Sequence, residues 1–274
     1  MTTKERALKY PQLKSHTVAS LPVEEILALE EFPKDDETSV YLSGSLVEGY
    51  GNSGSDIDVF VLTNDKPKGQ LIIDKKRFAI SIHFIDTRRV DFEYWPAPRV
   101  LEIADRLRQI KPGTDFVAEK LDPVEELFIH RLKIGIPLWN SAKFADWQAK
   151  FDFSLFQKYL VQQAVHRIDG ALEDLCGMLS DNDLDVALFR ARDLVNLTID
   201  AYCHYAGNTN PLPKWRVKIL ESFATDQFGD EVRSKFWQFQ FPDVENLRTD
   251  STAGAAYIES CIEFANRVTN WIQR

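Results

Sequence analysis

Cysteine is scarce in this sequence, and long apolar runs are missing. Only three residues are Cys, namely Cys176, Cys203 and Cys261, and their odd number and wide separation fit neither a disulfide framework nor a metal-binding spacing. We therefore expect buried, reduced thiols in a cytoplasmic protein. No apolar stretch approaches the ~20 residues that cross a bilayer, so no membrane association is expected. The polar N-terminal residues lack the apolar core of a signal peptide.

Positive charge is also in short supply. Lys and Arg number 33 against 42 Asp and Glu, which gives a formal net charge of -9. Proteins that bind long nucleic acids gain affinity by neutralising phosphates with Lys and Arg, so duplex nucleic acid is not an expected partner. A basic tract interleaved with aromatic residues, of the kind that binds RNA, is missing too. The charge favours a small-molecule or protein partner.

Short apolar runs dominate the N-terminal part of the chain, whereas the remainder has helical spacing. The predicted strands are residues 40–43, 57–62, 71–74, 78–85 and 90–95, with a turn at 75–76 joining the third and fourth. Residues 22–29 and the segment after Pro98 have helical spacing, as does most of the chain from Asp152 onward. Strands followed by helices predict an α+β fold with two lobes, joined between Pro112 and Asp152.

The segment at residues 41–62 carries the most chemical information, and it reads YLSGSLVEGYGNSGSDIDVFVL. Asp56 and Asp58 lie two residues apart at the start of a strand, so both carboxylates point to one face. Neighbouring carboxylates repel each other unless a cation neutralises them, and a hard divalent ion such as Mg²⁺ suits oxygen ligands. The backbone amides around Gly44 and Ser45 are placed to cradle a phosphate. Together these features indicate phosphoryl or nucleotidyl transfer.

Two other interpretations of the glycine-rich loop fail. Residues 49–54 formally match G-x-G-x-x-G, but that dinucleotide-binding fingerprint needs a strand before it and a helix after it. Here a strand follows directly, which excludes a Rossmann interpretation. The sequence contains no G-K-[ST], which excludes a P-loop.

Gly44-Ser45, the glycine-rich loop and the SDID segment resemble the motif of the polymerase-β-like nucleotidyltransferase superfamily. This group includes the aminoglycoside and lincosamide nucleotidyltransferases and the CCA-adding enzymes. The resemblance implies a catalytic domain at residues 15–112, with a mixed sheet flanked by helices, and an α-helical bundle at residues 150–274. It also implies an NTP donor that loses pyrophosphate, two Mg²⁺ ions held by Asp56 and Asp58, and a third carboxylate on a later strand. Ser55 is counted with Gly44 and Ser45 as a nucleotide-binding residue.

Asp91 and Glu93 are the candidates for the third carboxylate. Both lie on one face of the predicted strand RVDFEYW, and the family places its third acid in a short apolar–acid–apolar run of this kind. The acid would complete one metal site and draw the proton from the acceptor hydroxyl. Asp91 is the first choice and Glu93 the second, with His83 and Asp86 of the preceding strand as rivals. If none of them reaches the metal site, the protein is a non-catalytic member.

Further along the chain, residues 184–202 and the segment NPLPKW resemble the helical lobe of the small-molecule nucleotidyltransferases. In those enzymes the lobe often contributes a basic residue to the triphosphate. The resemblance makes Lys214 the first candidate for a phosphate contact and Arg192 the second. The alternative for each is an exposed or ion-paired surface cation.

The expected reaction is metal-dependent transfer of a nucleoside monophosphate to a hydroxyl of a small-molecule acceptor. ATP is taken as the donor because it is abundant. One alternative is a protein acceptor, as in the nucleotidyltransferases of toxin–antitoxin pairs, although those chains are usually shorter. The other is a catalytically silent nucleotide-binding module, against which the two repelling carboxylates of Asp56 and Asp58 argue.

Overall fold

The computed structural model describes residues 21–64, 67, 72–113, 121–223 and 226–274. The chain divides into two compact units. Of the described residues, the first unit contains those between 21 and 110 and between 121 and 153, and the second contains 111–113 and the rest from 154 onward. A mixed sheet in the first unit and helices in the second confirm the predicted α+β class. Leu71, predicted to begin a strand, and residues 15–20 of the predicted catalytic domain lie outside the described residues.

The first unit is built on a mixed sheet flanked by helices. Its strands are β1 (Ser39–Ser43), β2 (Ile57–Thr63), β3 (Ile72–Asp74), β4 (Ala79–Ile85), β5 (Arg88–Pro96) and β6 (Ile136–Trp139). Its helices are α1 (Val23–Ala28), α2 (Ala97–Gln109), α3 (Pro123–Ile134) and α4 (Ser141–Gln148). The strand order is β3-β4-β5-β2-β1-β6. β2 and β5 pair in parallel, and the other neighbouring pairs are antiparallel.

One face of the central strands is apolar, because side chains alternate between the two faces of a strand. Val59 of β2 and Val90 and Phe92 of β5 point to this face and are fully buried. They belong to a core that also contains Ile26 of α1. This burial fixes the register of β2 and β5, since a slip of one residue would turn the apolar set to the opposite face.

The opposite face carries aromatic side chains at its margins and is packed against α3 and α4. Tyr41 of β1 stacks on Phe60 of β2 with ring centroids 5.0 Å apart, and the ring centroid of Phe144 of α4 lies 4.8 Å from that of Tyr41. The ring centroids of Trp95 of β5 and Phe128 of α3 are 4.2 Å apart. The polar side chains that share this face of β2 and β5 are therefore partly enclosed between the aromatic residues.

The edge strand β6 and the helices on either side of it were not anticipated from the sequence. Strand β6 has only four residues and contains Pro137, which lacks the N–H that a central strand needs. It pairs antiparallel with β1 at the edge of the sheet, where proline is tolerated. The unit that bears the sheet thus includes residues 121–149, which lie between the two predicted domains, and residues 150–153, which were predicted to begin the helical bundle.

The second unit is helical in the residues that the structure describes. Its helices are α5 (Phe153–Ser180), α6 (Leu184–Tyr205), α7 (Arg216–Ser222), α8 (Gln227–Gln240), α9 (Val244–Thr249) and α10 (Ser251–Ile272), with a 3₁₀ turn at Pro213–Trp215. Buried residues recur every three or four positions along α6 and α10, as expected for helices that bury one face. None of the helices in the described ranges combines the length and hydrophobicity needed to cross a membrane.

A buried carboxylate joins α2 to α3, and its removal is expected to destabilise the first unit. Glu125 is fully buried and bonds Arg99 at 2.5 Å and Arg106 at 2.7 Å. Glu125→Gln leaves two partly buried guanidinium groups short of one counter-charge, which is expected to cost about 3 kcal/mol of unfolding free energy. Urea denaturation followed by circular dichroism measures this loss. Asp105→Asn, which breaks an exposed pair with Arg108, is the control and is expected to cost under about 0.5 kcal/mol; equal losses would contradict the prediction.

The three cysteines are free, but the prediction that all are buried is wrong for Cys176. Cys176 is exposed, while Cys203 and Cys261 are buried, because Leu175 occupies the inward position of α5 and the next residue points about 100° away. Burial raises the pKa of the Cys261 thiol to about 12 and also raises the pKa of Cys203.

These environments predict one reactive thiol in the native protein. Dithionitrobenzoate at neutral pH is expected to titrate Cys176 rapidly and the two buried thiols only after denaturation, because the thiolate is the reactive form. Cys176→Ser is expected to remove the rapid phase. A rapid phase that survives this substitution would contradict the assignment.

Candidate active site

The parallel pairing of β2 and β5 places two predicted catalytic acids side by side. Asp58 lies directly opposite Asp91 in the register of the two strands, and Phe60 lies opposite Glu93. Asp58, Asp91 and Glu93 all point to the face opposite the apolar core. Asp91 is therefore the immediate neighbour of Asp58, while Glu93 lies one pleat further along β5.

Asp56 precedes β2, and two arginines at the start of β5 accompany it. Its negative charge acts on both Arg88 and Arg89. Arg88 is buried, and its Nε donates a hydrogen bond to the carbonyl oxygen of Ser55 at 3.0 Å. Burial lowers the pKa of Arg88, and Asp56 opposes this shift. Arg88 thus holds the backbone of the SDID segment in place at Ser55.

Arg89 neutralises Asp91 through two hydrogen bonds. Its Nε lies 2.5 Å from Oδ1 and a terminal nitrogen lies 2.7 Å from Oδ2. This hydrogen bonding raises the pKa of Arg89. The Arg89 side chain is 41% exposed against 14% for Asp91, so the arginine has room to move into solvent while the acid stays on the sheet.

A further arginine, Arg131 of α3, lies at the site and was not predicted from the sequence. One terminal nitrogen lies 3.1 Å from Glu93 Oε1, and the other lies 3.6 Å from Asp58 Oδ1. Burial lowers the pKa of Arg131, but Asp58 and Glu93 raise it more, so the net shift is upward. In the sequence Arg131 resembles any basic residue in the last turn of a helix, and no local pattern connects it with the acids.

Glu93 is engaged by two partners, Arg131 and Trp95, that do not belong to the pair formed by Asp58 and Asp91. Besides Arg131, it accepts a hydrogen bond from the Trp95 indole at 3.2 Å. Burial raises the pKa of Glu93, and Arg131 opposes this rise. Of the two acids left open by the sequence, the structure brings Asp91 next to Asp58 and engages Glu93 with other partners.

His83 and Asp86, the remaining rivals, lie elsewhere. Ile82, not His83, is the cross-strand neighbour of Asp91, so His83 points to the apolar face. There it contacts the Glu30 carboxylate and the Ser81 hydroxyl. Asp86 is exposed in the turn between β4 and β5 with φ of 54°.

The turn after β1 brings backbone against the acids. The amides of Val47 and Glu48 donate to the carbonyl oxygen of Gly44 at 3.1 and 3.2 Å, which makes a helical turn that starts at Gly44. Gly44 has φ of +85°, and a Cβ there would lie 2.1 Å from Asp58 Oδ2. The glycine therefore permits both the turn and the close approach of Asp58. Ser45 follows within the turn and is partly exposed.

The remainder of the glycine-rich loop is ordered by its own side chains. Asn52 Oδ1 accepts a hydrogen bond from the amide of Gly54 at 2.9 Å, and the Ser55 hydroxyl accepts one from the amide of Asn52 at 2.8 Å. Glu48 also pairs with the buried His130 of α3 at 3.1 Å. These contacts give Ser55 a role within the loop, and its predicted contact with nucleotide stays a prediction.

The two predicted phosphate-binding cations belong to the second unit. Lys214 is exposed, with Nζ 5.0 Å from the centroid of the Trp215 ring. Arg192 is exposed on α6 and bonds the Gln240 amide oxygen at 3.3 Å. Their contact with phosphate stays a prediction.

The chemistry of the donors at the first unit suits a hard divalent cation. Asp56, Asp58 and Asp91 offer carboxylate oxygens, the ligands that Mg²⁺ prefers. As they stand, no three His, Cys, Asp or Glu side chains converge into a metal site within the described residues, and Asp91 is turned toward Arg89. The residues present therefore fit a cation once Asp91 turns from Arg89, whose side chain is 41% exposed.

A family model covers the strands that carry these acids. Residues 26–133 match the family model of the nucleotidyltransferase domain. Among solved structures, the chain is similar to the crystal structure of a nucleotidyltransferase-like protein from Exiguobacterium sibiricum 255-15. The sequence identity is 10%, the TM-score is 0.46, and the match covers 92% of this chain and 73% of that chain. A comparison with curated proteins finds no match.

Proposed function

We propose that this protein, whose residues 26–133 match the nucleotidyltransferase domain family, moves a nucleoside monophosphate from an NTP to a hydroxyl of a small-molecule acceptor. One observation carries the proposal. Asp58 and Asp91 lie side by side on parallel strands, and the turn that begins at Gly44 lies directly against Asp58. ATP is the first donor to test.

The turn at Gly44 and Ser45 is proposed to bind the outer phosphates of the donor. Amides in the first turn of a helix lack partners within the helix and point toward its N-terminal end, which favours an anion there. Ser45 is partly exposed, and it directly follows Gly44, which lies against Asp58. Ser55, Lys214 and Arg192 are proposed as further nucleotide contacts on the family resemblance alone.

Asp56, Asp58 and Asp91 are the residues proposed to hold two Mg²⁺ ions. When bound, such ions neutralise the triphosphate and polarise the phosphoryl group under attack. The acids contribute by their placement, since Asp58 and Asp91 are fixed by strand pairing and Asp56 follows a serine whose carbonyl oxygen is bonded by Arg88. Rigid elements of this kind hold ligands in place without reorganisation.

Asp91 is proposed to take the proton of the acceptor hydroxyl. The freed oxygen attacks the α-phosphorus, an oxygen–phosphorus bond forms, and the bond from the α-phosphorus to the bridging oxygen breaks with release of pyrophosphate. A base must lie within hydrogen-bond reach of the proton that it removes, and Asp91 is the acid nearest to Asp58 in the strand register. Arg89 must leave Asp91 for this step, and its exposure permits that.

The small-molecule acceptor is supported by the net charge of -9. An acidic protein lacks the excess of Lys and Arg that long nucleic acids require.

The three free cysteines fit a reducing compartment such as the cytoplasm.

Label transfer tests this function directly. The protein is incubated with each α-³²P-labelled NTP, Mg²⁺ and separate acceptor sets of aminoglycosides, lincosamides, tRNA and protein lysate, beside the Asp56→Ala/Asp58→Ala variant. We expect Mg²⁺-dependent label on a small molecule, lost in the variant. Label on protein or tRNA instead would replace the proposed acceptor class. Wild-type protein that neither transfers label nor binds NTP with Mg²⁺ would refute the proposed function.

A further inference from the structure

The guanidinium of Arg131 lies close to two acids, and its distances to them differ. It lies within hydrogen-bond distance of Glu93, at 3.1 Å, but 3.6 Å from Asp58, which exceeds a hydrogen bond between nitrogen and oxygen. Arg131 therefore acts on Asp58 through its charge and holds Glu93 by a hydrogen bond.

Arg131 itself is held in place on several sides. Its guanidinium lies over the Phe60 ring, 5.1 Å from the centroid, and its backbone carbonyl oxygen accepts a hydrogen bond from Ser43 Oγ at 2.8 Å. Only 15% of its side chain is exposed. Because α3 is locked to β1 and β2 in this way, the guanidinium is a fixed charge and not a mobile surface group.

Asp58 is confined between this charge and the backbone of the turn after β1. Its Oδ1 faces Arg131, and its Oδ2 lies where a side chain on Gly44 would begin. A carboxylate bounded on both sides has little rotational freedom. An unpaired guanidinium here would repel an incoming cation, and the hydrogen-bonded Glu93 offsets that charge.

We propose that Arg131 is a positioning residue that holds the Asp58 carboxylate ready for a divalent cation, and that Glu93 acts as the counter-ion of Arg131 and not as a metal ligand. This inference rests on the proposed function. It assigns Asp91 alone as the third carboxylate. It also explains why a glutamate and an arginine that are only 17% and 15% exposed are placed together beside the two aspartates.

A charge-balanced set of variants tests the inference by Mn²⁺ titration, with bound metal measured by electron paramagnetic resonance. In the Glu93→Gln background, the further change Arg131→Met removes a positive charge. Electrostatics alone would then strengthen Mn²⁺ binding, whereas loss of positioning weakens it. We expect the double variant to bind Mn²⁺ about tenfold more weakly than Glu93→Gln, as is typical when a residue that orients a metal ligand is lost.

Single variants test whether Glu93 is the counter-ion of Arg131 or a metal ligand. Glu93→Gln keeps an oxygen that accepts from Arg131, so we expect less than about threefold weaker binding, against about 100-fold for Asp91→Asn. Equal losses in these two variants would make Glu93 a ligand and overturn the assignment. Arg108→Met, on the exposed surface of α2, is the matched arginine control and is expected to bind Mn²⁺ as the wild type does.

Folding is checked by thermal unfolding, and titrations are done well below each midpoint. If the double variant does not fold, Arg131→Lys takes its place, because lysine keeps the charge but loses the planar fork of the guanidinium. We expect Arg131→Lys to bind Mn²⁺ at least about threefold more weakly than the wild type. Wild-type affinity in Arg131→Lys, or tighter binding in the double variant, would overturn the inference alone. No Mn²⁺ binding by the wild type would overturn the proposed metal chemistry and this inference with it.

Discussion

Asp58→Asn is expected to lower kcat/KM for nucleotidyl transfer by about 10³-fold or more. Stabilisation of the transition-state charge by a bound metal is worth several kcal/mol, and each 1.4 kcal/mol corresponds to a factor of ten. Asn keeps the shape of the side chain but removes the charge that attracts the cation. Steady-state transfer of label from α-³²P-ATP to the acceptor measures the loss.

Asp91→Asn is expected to have an effect of similar size, because Asp91 is the direct strand neighbour of Asp58. Residues that act on one metal site act as a unit, so their effects do not add. The double variant should therefore be little worse than either single variant. Strictly multiplicative losses would indicate two independent roles.

Asp86→Asn is the matched control for both substitutions. Asp86 is an exposed acid in the turn between β4 and β5, with φ of 54°, a conformation that Asn also tolerates. We expect activity and stability close to those of the wild type. A large loss of activity in this variant, with Asp91→Asn still active, would place the third acid in the turn and refute the assignment to β5.

The fold and the acids were predictable from the sequence to the extent that the information is local. The apolar run of β2 and the alternating apolar and acidic residues of β5 predict these two strands, and the spacing of Asp56 and Asp58 gives their common face. The alignment of Asp91 with Asp58 is not local. It depends on β2 and β5 being parallel neighbours in one register, which the core residues on the other face determine. The sequence therefore left Asp91 and Glu93 open.

Arg131 shows why the rest was beyond reach. Its contacts with Asp58 and Glu93 join α3 to β2 and β5, and α3 is placed by the packing of Phe128 on Trp95 and by the bond to Ser43. None of these contacts produces a pattern in the sequence around residue 131. The same holds for β6, a four-residue strand that contains Pro137 and is defined by its pairing with β1.

Gly44→Ala is expected to reduce transfer by about 10²-fold, and it tests the geometry of the turn without touching a charge. The Cβ would lie 2.1 Å from Asp58 Oδ2, so the carboxylate or the turn must shift by about 1 Å, a displacement that can cost a factor of about 100. The positive φ of +85° adds a strain of about 1–2 kcal/mol to the folded state. Transfer assays and urea denaturation on the same variant separate the two effects.

Gly49→Ala supplies the comparison, because Gly49 belongs to the same turn and shares the positive φ. Its φ is +73°, but a Cβ there would meet nothing within 4 Å. We expect it to lose about 1–2 kcal/mol of stability while its activity stays within a few-fold of the wild type. Similar stability losses with unequal activity losses would show that Gly44 matters through its contact with Asp58. Equal activity losses would mean that strain in the turn, and not the placement of the carboxylate, limits the reaction.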